Sequence, residues 1–113
     1  MTTCRKQNWD IPLRIDTFGR DGSLVLALEG DLDITTSHLL DSALERARAT
    51  DAVGIVVDLI AVSFMDSTGL HVLIKHTREE SNRRRVRVTK GSPQVQRLFE
   101  LSGTQGYLLF ASE

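Results

Sequence analysis

Four consecutive residues, Asp66-Ser67-Thr68-Gly69, place a carboxylate and two hydroxyls between an apolar run and a helical pattern. A helix N-terminus leaves unpaired N–H groups and the positive end of the macrodipole, so it favours anions. A phosphate on Ser67 would meet both, which makes this serine a candidate modification site. The same string also suits a plain helix start, with Ser67 as N-cap and Asp66 as a carboxylate beside the first turn. His71 lies one helical turn beyond Ser67, which allows a reading of Ser67 as nucleophile, His71 as base and Asp66 as orienting acid. A hydrolase triad normally draws its base from a distant segment, however, and no Gly-x-Ser-x-Gly elbow is present. No catalytic residue is therefore assigned. His71 and His76 are five apart rather than the four that aligns two imidazoles, and His38 is remote. These histidines read as solvated surface groups, and no metal site is expected. No Gly-x-x-x-x-Gly-Lys or Gly-x-Gly-x-x-Gly phosphate loop occurs, so no cofactor is expected either.

The elements that would hold these residues follow from hydrophobic period. Leu13–Phe18 alternates, with Leu13 and Ile15 on one face, and suits an edge strand. Arg20-Asp21-Gly22 signals a turn, after which Ser23–Glu29 reads as a more buried strand ended by Gly30-Asp31-Leu32-Asp33. Thr35, Thr36 or Ser37 can cap a first helix whose stripe is Leu40, Ala43, Leu44 and Ala47. Val53–Leu59 has the look of a strand covered on both faces, and Ile60–Asp66 reads as a short connection. A second helix is predicted over about Ser67–Asn82, with Leu70, Leu73, Ile74 and Thr77 inward and Lys75, Arg78, Glu79 and Glu80 outward. Val86 and Val88 mark a short strand. Ser92-Pro93 opens a third helix with stripe Val95, Leu98 and Phe99, which Gly103 can close. Tyr107–Phe110 reads as the last strand. The order β-β-α-β-α-β-α-β predicts an α/β domain: a mostly parallel five-stranded sheet with an antiparallel edge strand and helices mainly on one face.

Composition sets the bounds. The 113 residues carry 14 Lys and Arg against 15 Asp and Glu, and suit one domain, with its core over about 13–110 and a mobile lead-in over 1–10. The balanced charge argues against direct nucleic-acid binding. Cys4 alone allows no internal disulfide, and the longest apolar stretch, Leu24–Leu28, is far from the ~20 residues of a membrane span. A cytoplasmic protein without membrane attachment is expected. Arg83-Arg84-Arg85 reads as cations complementing a helix end rather than a binding patch, since no aromatic residues interleave.

Three segments carry a resemblance to a known family. Asp58-Leu59-Ile60-Ala61-Val62-Ser63-Phe64-Met65-Asp66-Ser67-Thr68-Gly69-Leu70 resembles the signature of the STAS domain of bacterial anti-sigma factor antagonists. Gly30-Asp31-Leu32-Asp33 resembles the family's loop after the second strand, and Ser92–Gly103 its third helix and cap. The resemblance covers about Leu13 to Phe110. It implies partner switching: the unphosphorylated antagonist binds an anti-sigma factor serine kinase, which supplies ATP, and so frees the sigma factor. The kinase phosphorylates the serine matched here by Ser67, and a phosphatase resets the switch. Thr68 stands where many relatives have a second serine, and phosphorylation is not transferred to it. His71 is bulky where several relatives have a small residue, and the fourth helix usual after the last strand is not in this sequence. The alternative within the resemblance is a STAS module of another circuit, such as a stress-signalling scaffold or a transporter-associated subunit. Since both loops should leave the carboxyl end of the sheet, a partner patch of Asp31, Asp33, Met65, Asp66, Ser67 and Thr68 is expected, extended along the second helix. Asp31 and Asp33 equally suit simple turn residues.

Overall fold

The structure, a computed structural model, describes residues 12–78 and 86–103. The proposed last strand at Tyr107–Phe110, the Arg83–Arg85 run and the stretch before Pro12 lie outside the described residues. Within them the order is β1 (Leu13–Arg20), β2 (Ser23–Leu32), α1 (Ser37–Arg48), β3 (Gly54–Met65), α2 (Ser67–Arg78), β4 (Val86–Val88) and α3 (Pro93–Ser102). The four strands form one mixed sheet in the order β1-β2-β3-β4. β1 and β2 are an antiparallel hairpin turned by Asp21-Gly22, and β2–β3 and β3–β4 are parallel pairs.

One core holds the domain together. Leu26 and Leu28 of β2 and Ile55, Val57 and Leu59 of β3 point into the same cluster. All three helices put their stripes there, led by Leu40 and Leu44, Leu70 and Leu73, and Val95 and Phe99. In α1 the buried set is Leu40, Ala43, Leu44 and Ala47, as the spacing required. α3 also starts and stops as expected: the Ser92 hydroxyl accepts from Val95 N–H at 3.4 Å, Pro93 follows, and Gly103 closes the helix at φ 71°.

The long strand differs from expectation. β3 does not end at Leu59 but continues to Met65, and β2 continues to Leu32 beside it. Ala27 pairs with Asp58 but Glu29 with Ala61, and Gly30 pairs with Val62 but Asp31 with Phe64. Each step leaves one extra residue on β3, a bulge that locally bends the strand and re-aims its side chains. The buried positions therefore change from every second residue (Ile55, Val57, Leu59) to every third (Val62, Met65). A period of three matches no strand template, which is why the stretch reads as a loop in sequence. The bulges leave Ile60 and Phe64 exposed. At the opposite edge, β1 enters against Gly30, whose φ is 116°; a Cβ there would lie 2.1 Å from Pro12 O. That space lets Asp31 N–H donate to Pro12 O at 2.8 Å.

His76 is a second correction. It is fully buried rather than solvated, clamped between α1 and α2. Its Nε2 lies 2.7 Å from Asp41 Oδ1 and its Nδ1 lies 3.3 Å from Arg48 Nη1. A guanidinium only donates, so Nδ1 accepts, and the ring proton sits on Nε2 and is given to Asp41. Asp41 also receives Lys75 Nζ at 3.1 Å. Asp41 and Arg48 stand seven residues apart on one face of α1, so two turns present both ends of the imidazole with partners. The pairing is invisible in either helix alone.

Candidate functional site at the carboxyl end of the sheet

The paired ends of β2 and β3 build the site. Leu32 lies opposite Met65, and Asp66 N–H donates to Leu32 O at 3.1 Å, tying the two exits together. Asp66 is the cap of α2: its carbonyl accepts the first helical bond, from Leu70 N–H at 3.2 Å. Its Oδ1 accepts from Thr68 N–H at 2.9 Å, from Gly69 N–H at 3.3 Å and from the Thr68 hydroxyl. Burial pushes the Asp66 carboxyl up, but the Thr68 hydroxyl and the N–H groups of Gly69, Thr68 and Ile34 outweigh it and hold the group below the ordinary carboxylate value. Ile34 belongs to the β2–α1 loop, so that loop adds the smallest of these effects on the carboxylate.

This assigns the hydroxyls. Thr68 is spent on the cap, whereas Ser67 is exposed and its hydroxyl has no hydrogen-bond partner among the described residues. The cap role considered for Ser67 belongs to Asp66 instead, and Ser67 is the first residue of the helix. No hydrogen bond links Ser67 to His71 among the described residues.

The β2–α1 loop is equally organised. Asp33 Oδ1 accepts from Thr35 N–H at 3.0 Å and from the Thr35 hydroxyl at 2.7 Å, and Asp33 O accepts from Thr36 and Ser37 N–H. The Thr35 hydroxyl, opposed by burial, holds the Asp33 carboxyl below the usual range, with the Thr35 N–H and Thr36 assisting. The Thr36 hydroxyl does not cap α1; it is buried, accepts from Asp33 N–H at 2.9 Å and donates to Asp31 O at 2.9 Å. Asp33 thus shapes the turn and remains partly exposed, as does Asp31.

Met65 does not line the expected patch. Its side chain is buried in the core, and its backbone is held from α3: Met65 N–H donates to Gln94 Oε1 at 3.0 Å and Gln94 Nε2 donates to Met65 O at 3.3 Å. Three apolar side chains flanking the loops are exposed instead: Ile34, 72% exposed, Phe64 and Leu39. The available signals were slight: Ile34 sits among turn residues, and Leu39 falls off the α1 stripe. Among the described residues, the one His/Asp/Glu trio close enough to share a cation is Asp41, Glu45 and His76. Its imidazole faces are already taken by Asp41 and Arg48, and Lys75 sits on the carboxylate, so the trio reads as an ion-pair cluster.

Residues 14–113 match the STAS domain family. The chain belongs to that family. The anti-sigma-B factor antagonist of Staphylococcus aureus is 32% identical over 92 residues, covering 80% of this chain and 85% of its own length. The anti-sigma-F factor antagonist RsfB of Mycobacterium tuberculosis is 36% identical over 53 residues, 47% of this chain and 43% of its own length, so that match spans less than half of the relative. In three dimensions, an anti-sigma factor antagonist from Mycobacterium paratuberculosis superposes with a TM-score of 0.78 at 24% identity, covering 88% of this chain and 86% of its own. The STAS fold therefore supplies the frame. Among the described residues, no helix is long and apolar enough to cross a membrane.

The cap makes the site sensitive to acid. A carboxyl whose folded value is depressed stabilises the fold above the unfolded value and loses that contribution as pH falls through the folded one. Asp66 behaves this way, as does Asp41, whose bond from His76, against burial, and whose Lys75 partner hold it low. Thermal midpoints should be flat above the ordinary carboxylate value of about 4 and fall below it. Asp66→Asn keeps a capping oxygen but removes the charge, and should flatten part of that fall. Asp66→Ala removes the cap, with an expected loss of about 1 kcal/mol at neutral pH by denaturant unfolding.

Proposed function

We propose that this chain is an anti-sigma factor antagonist whose binding surface is the carboxyl end of the sheet and whose switch is Ser67. The observation that carries the reading is the division of labour at the start of α2. Asp66 satisfies the helix end, which leaves the neighbouring Ser67 hydroxyl exposed and unpartnered in a STAS domain. A relative matched over most of the chain is an anti-sigma-B factor antagonist. The partner contacts Asp31, Asp33, Asp66, Ser67 and Thr68 at the rim and desolvates the exposed Ile34 and Phe64.

In the switching step the Ser67 Oγ attacks the γ-phosphorus of ATP held by an anti-sigma factor kinase. The Oγ–P bond forms, the bond to the β-phosphate oxygen breaks and ADP leaves. The hydroxyl proton passes to a base on the kinase, because Asp66 is a depressed carboxylate already accepting several hydrogen bonds. Hydrolysis of the ester by a phosphatase restores the binding form. The deciding experiment incubates the chain with purified anti-sigma factor kinases from the same genome and ATP, and maps the phosphate by mass spectrometry. Phosphate on Ser67, absent in Ser67→Ala, is the expected result; phosphate elsewhere, or none with any kinase that binds, removes the proposal.

A further inference from the structure

β4 pairs with β3 only from Ile55 to Val57. Beyond that point side chains meet the outer edge of β3 at two places: Leu59 N–H donates to Thr89 Oγ1 at 2.7 Å, and Met65 is met by the Gln94 amide. The Gln94 contact reproduces one rung of a sheet, since a primary amide offers one acceptor and one donor in a single plane, as a peptide unit does. Met65 is the last residue of β3, only two positions before Ser67. On the β2 side the junction is fixed by Leu32 O on Asp66 N–H. Without Gln94 the second edge of Met65 would have no partner among the described residues.

We propose that Gln94 is a positioning residue for Ser67: from the first turn of α3 its amide locks the Met65 backbone and so sets where the Ser67 hydroxyl stands for phosphoryl transfer. The inference rests on the reading of Ser67 as the phosphate acceptor. It also explains why a polar side chain on the outside of α3 is committed inward to a backbone 29 residues away. A hydrogen-bonded amide in a strand exchanges slowly with solvent because it must open first. Removing its acceptor should speed exchange at Met65 without unfolding the rest.

Two measurements on the full chain test this. In Gln94→Met, which keeps length and loses both hydrogen bonds, Met65 N–H should exchange at least about tenfold faster. The Val57 and Leu59 amides should keep their wild-type protection. In Gln94→Glu the charged carboxylate sets an oxygen against Met65 O. Protonating that carboxyl restores one donor and one acceptor, so the Met65 amide signal should return toward wild type as pH falls through the new group's titration, a pH profile that a loss of packing does not produce. The second measurement is kcat/KM for phosphorylation of Ser67 by the kinase identified above, expected to fall at least about tenfold in Gln94→Met with binding of the unphosphorylated chain little changed. Unchanged Met65 exchange, or faster exchange with unchanged kcat/KM, overturns the positioning role while leaving Ser67 as acceptor. No phosphate on wild-type Ser67 overturns both.

Discussion

Phosphate on Ser67 is expected to weaken binding to the anti-sigma factor about a hundredfold, which corresponds to ~3 kcal/mol. The ester brings about −1.5 to −2 charges and three acceptor oxygens to the first residue of α2. Helix N-termini ordinarily offset such a charge with free N–H groups. Here the N–H groups of Thr68 and Gly69 are already given to Asp66, so the dianion arrives beside a carboxylate that has taken two of the first-turn donors and leaves it the N–H of Ser67 itself. The macrodipole still favours it, which argues against refolding of the domain. A partner covering this surface must instead desolvate a poorly compensated charge beside Asp66 and near Asp33, and unpaired or like charges at interfaces cost several kcal/mol. Titration calorimetry with the kinase partner should show wild type and Ser67→Ala binding alike, Ser67→Asp weaker, and the phosphorylated chain weakest. Equal affinities for phosphorylated and unmodified protein would rule out the mechanism. A change in the affinity of Ser67→Ala alone would show that the hydroxyl contributes to the affinity beyond its place in the contact surface.

Much of the fold is legible in the sequence, for identifiable reasons. The α1 stripe and the Ser92–Gly103 helix are local patterns, set by spacing and by the chemistry of caps, and both stand where the spacing puts them. The far half of β3 was not legible because bulges at two points turn a period of two into three, and no local rule announces a bulge. The same shift hid Phe64, which falls in what reads as a connection and is an exposed strand residue in the fold. His76 failed in the opposite direction. Its polarity suggested solvent, and only the approach of Asp41 and Arg48 from another helix makes its burial affordable. At the site itself, type and spacing point to Ser67 as the candidate, while the identity of the cap depends on which of two adjacent side chains turns back onto the helix. Asp66 does so, and that choice frees Ser67.

Gly69→Ala should destabilise the domain by about 1–2 kcal/mol, against the usual direction of glycine replacement in a helix. Helix propensity alone predicts a gain of up to ~1 kcal/mol from the lost backbone freedom. The space around Gly69 decides otherwise. A Cβ there would stand 2.6 Å from Leu32 Cγ, 2.9 Å from its Cδ2 and 3.2 Å from its carbonyl oxygen. Leu32 is fully buried, so its side chain has no open side to move into, and its carbonyl is engaged by Asp66 N–H. Overpacking of this kind typically costs 1–3 kcal/mol, which exceeds the propensity gain. The strain also falls on the bond that joins the two loops, so amide shifts of Asp66, Ser67 and Thr68 should move in the variant. Leu32→Ala makes room and costs about 2–5 kcal/mol by itself as a cavity. Adding Gly69→Ala to it should cost less than the sum, with a favourable coupling of about 0.5–3 kcal/mol in a double-mutant cycle read by denaturant unfolding. A rise in thermal midpoint for Gly69→Ala alone would show that α2 can shift away from β2 freely, and the close seating of the Ser67 helix on Leu32 would then not be what fixes the site.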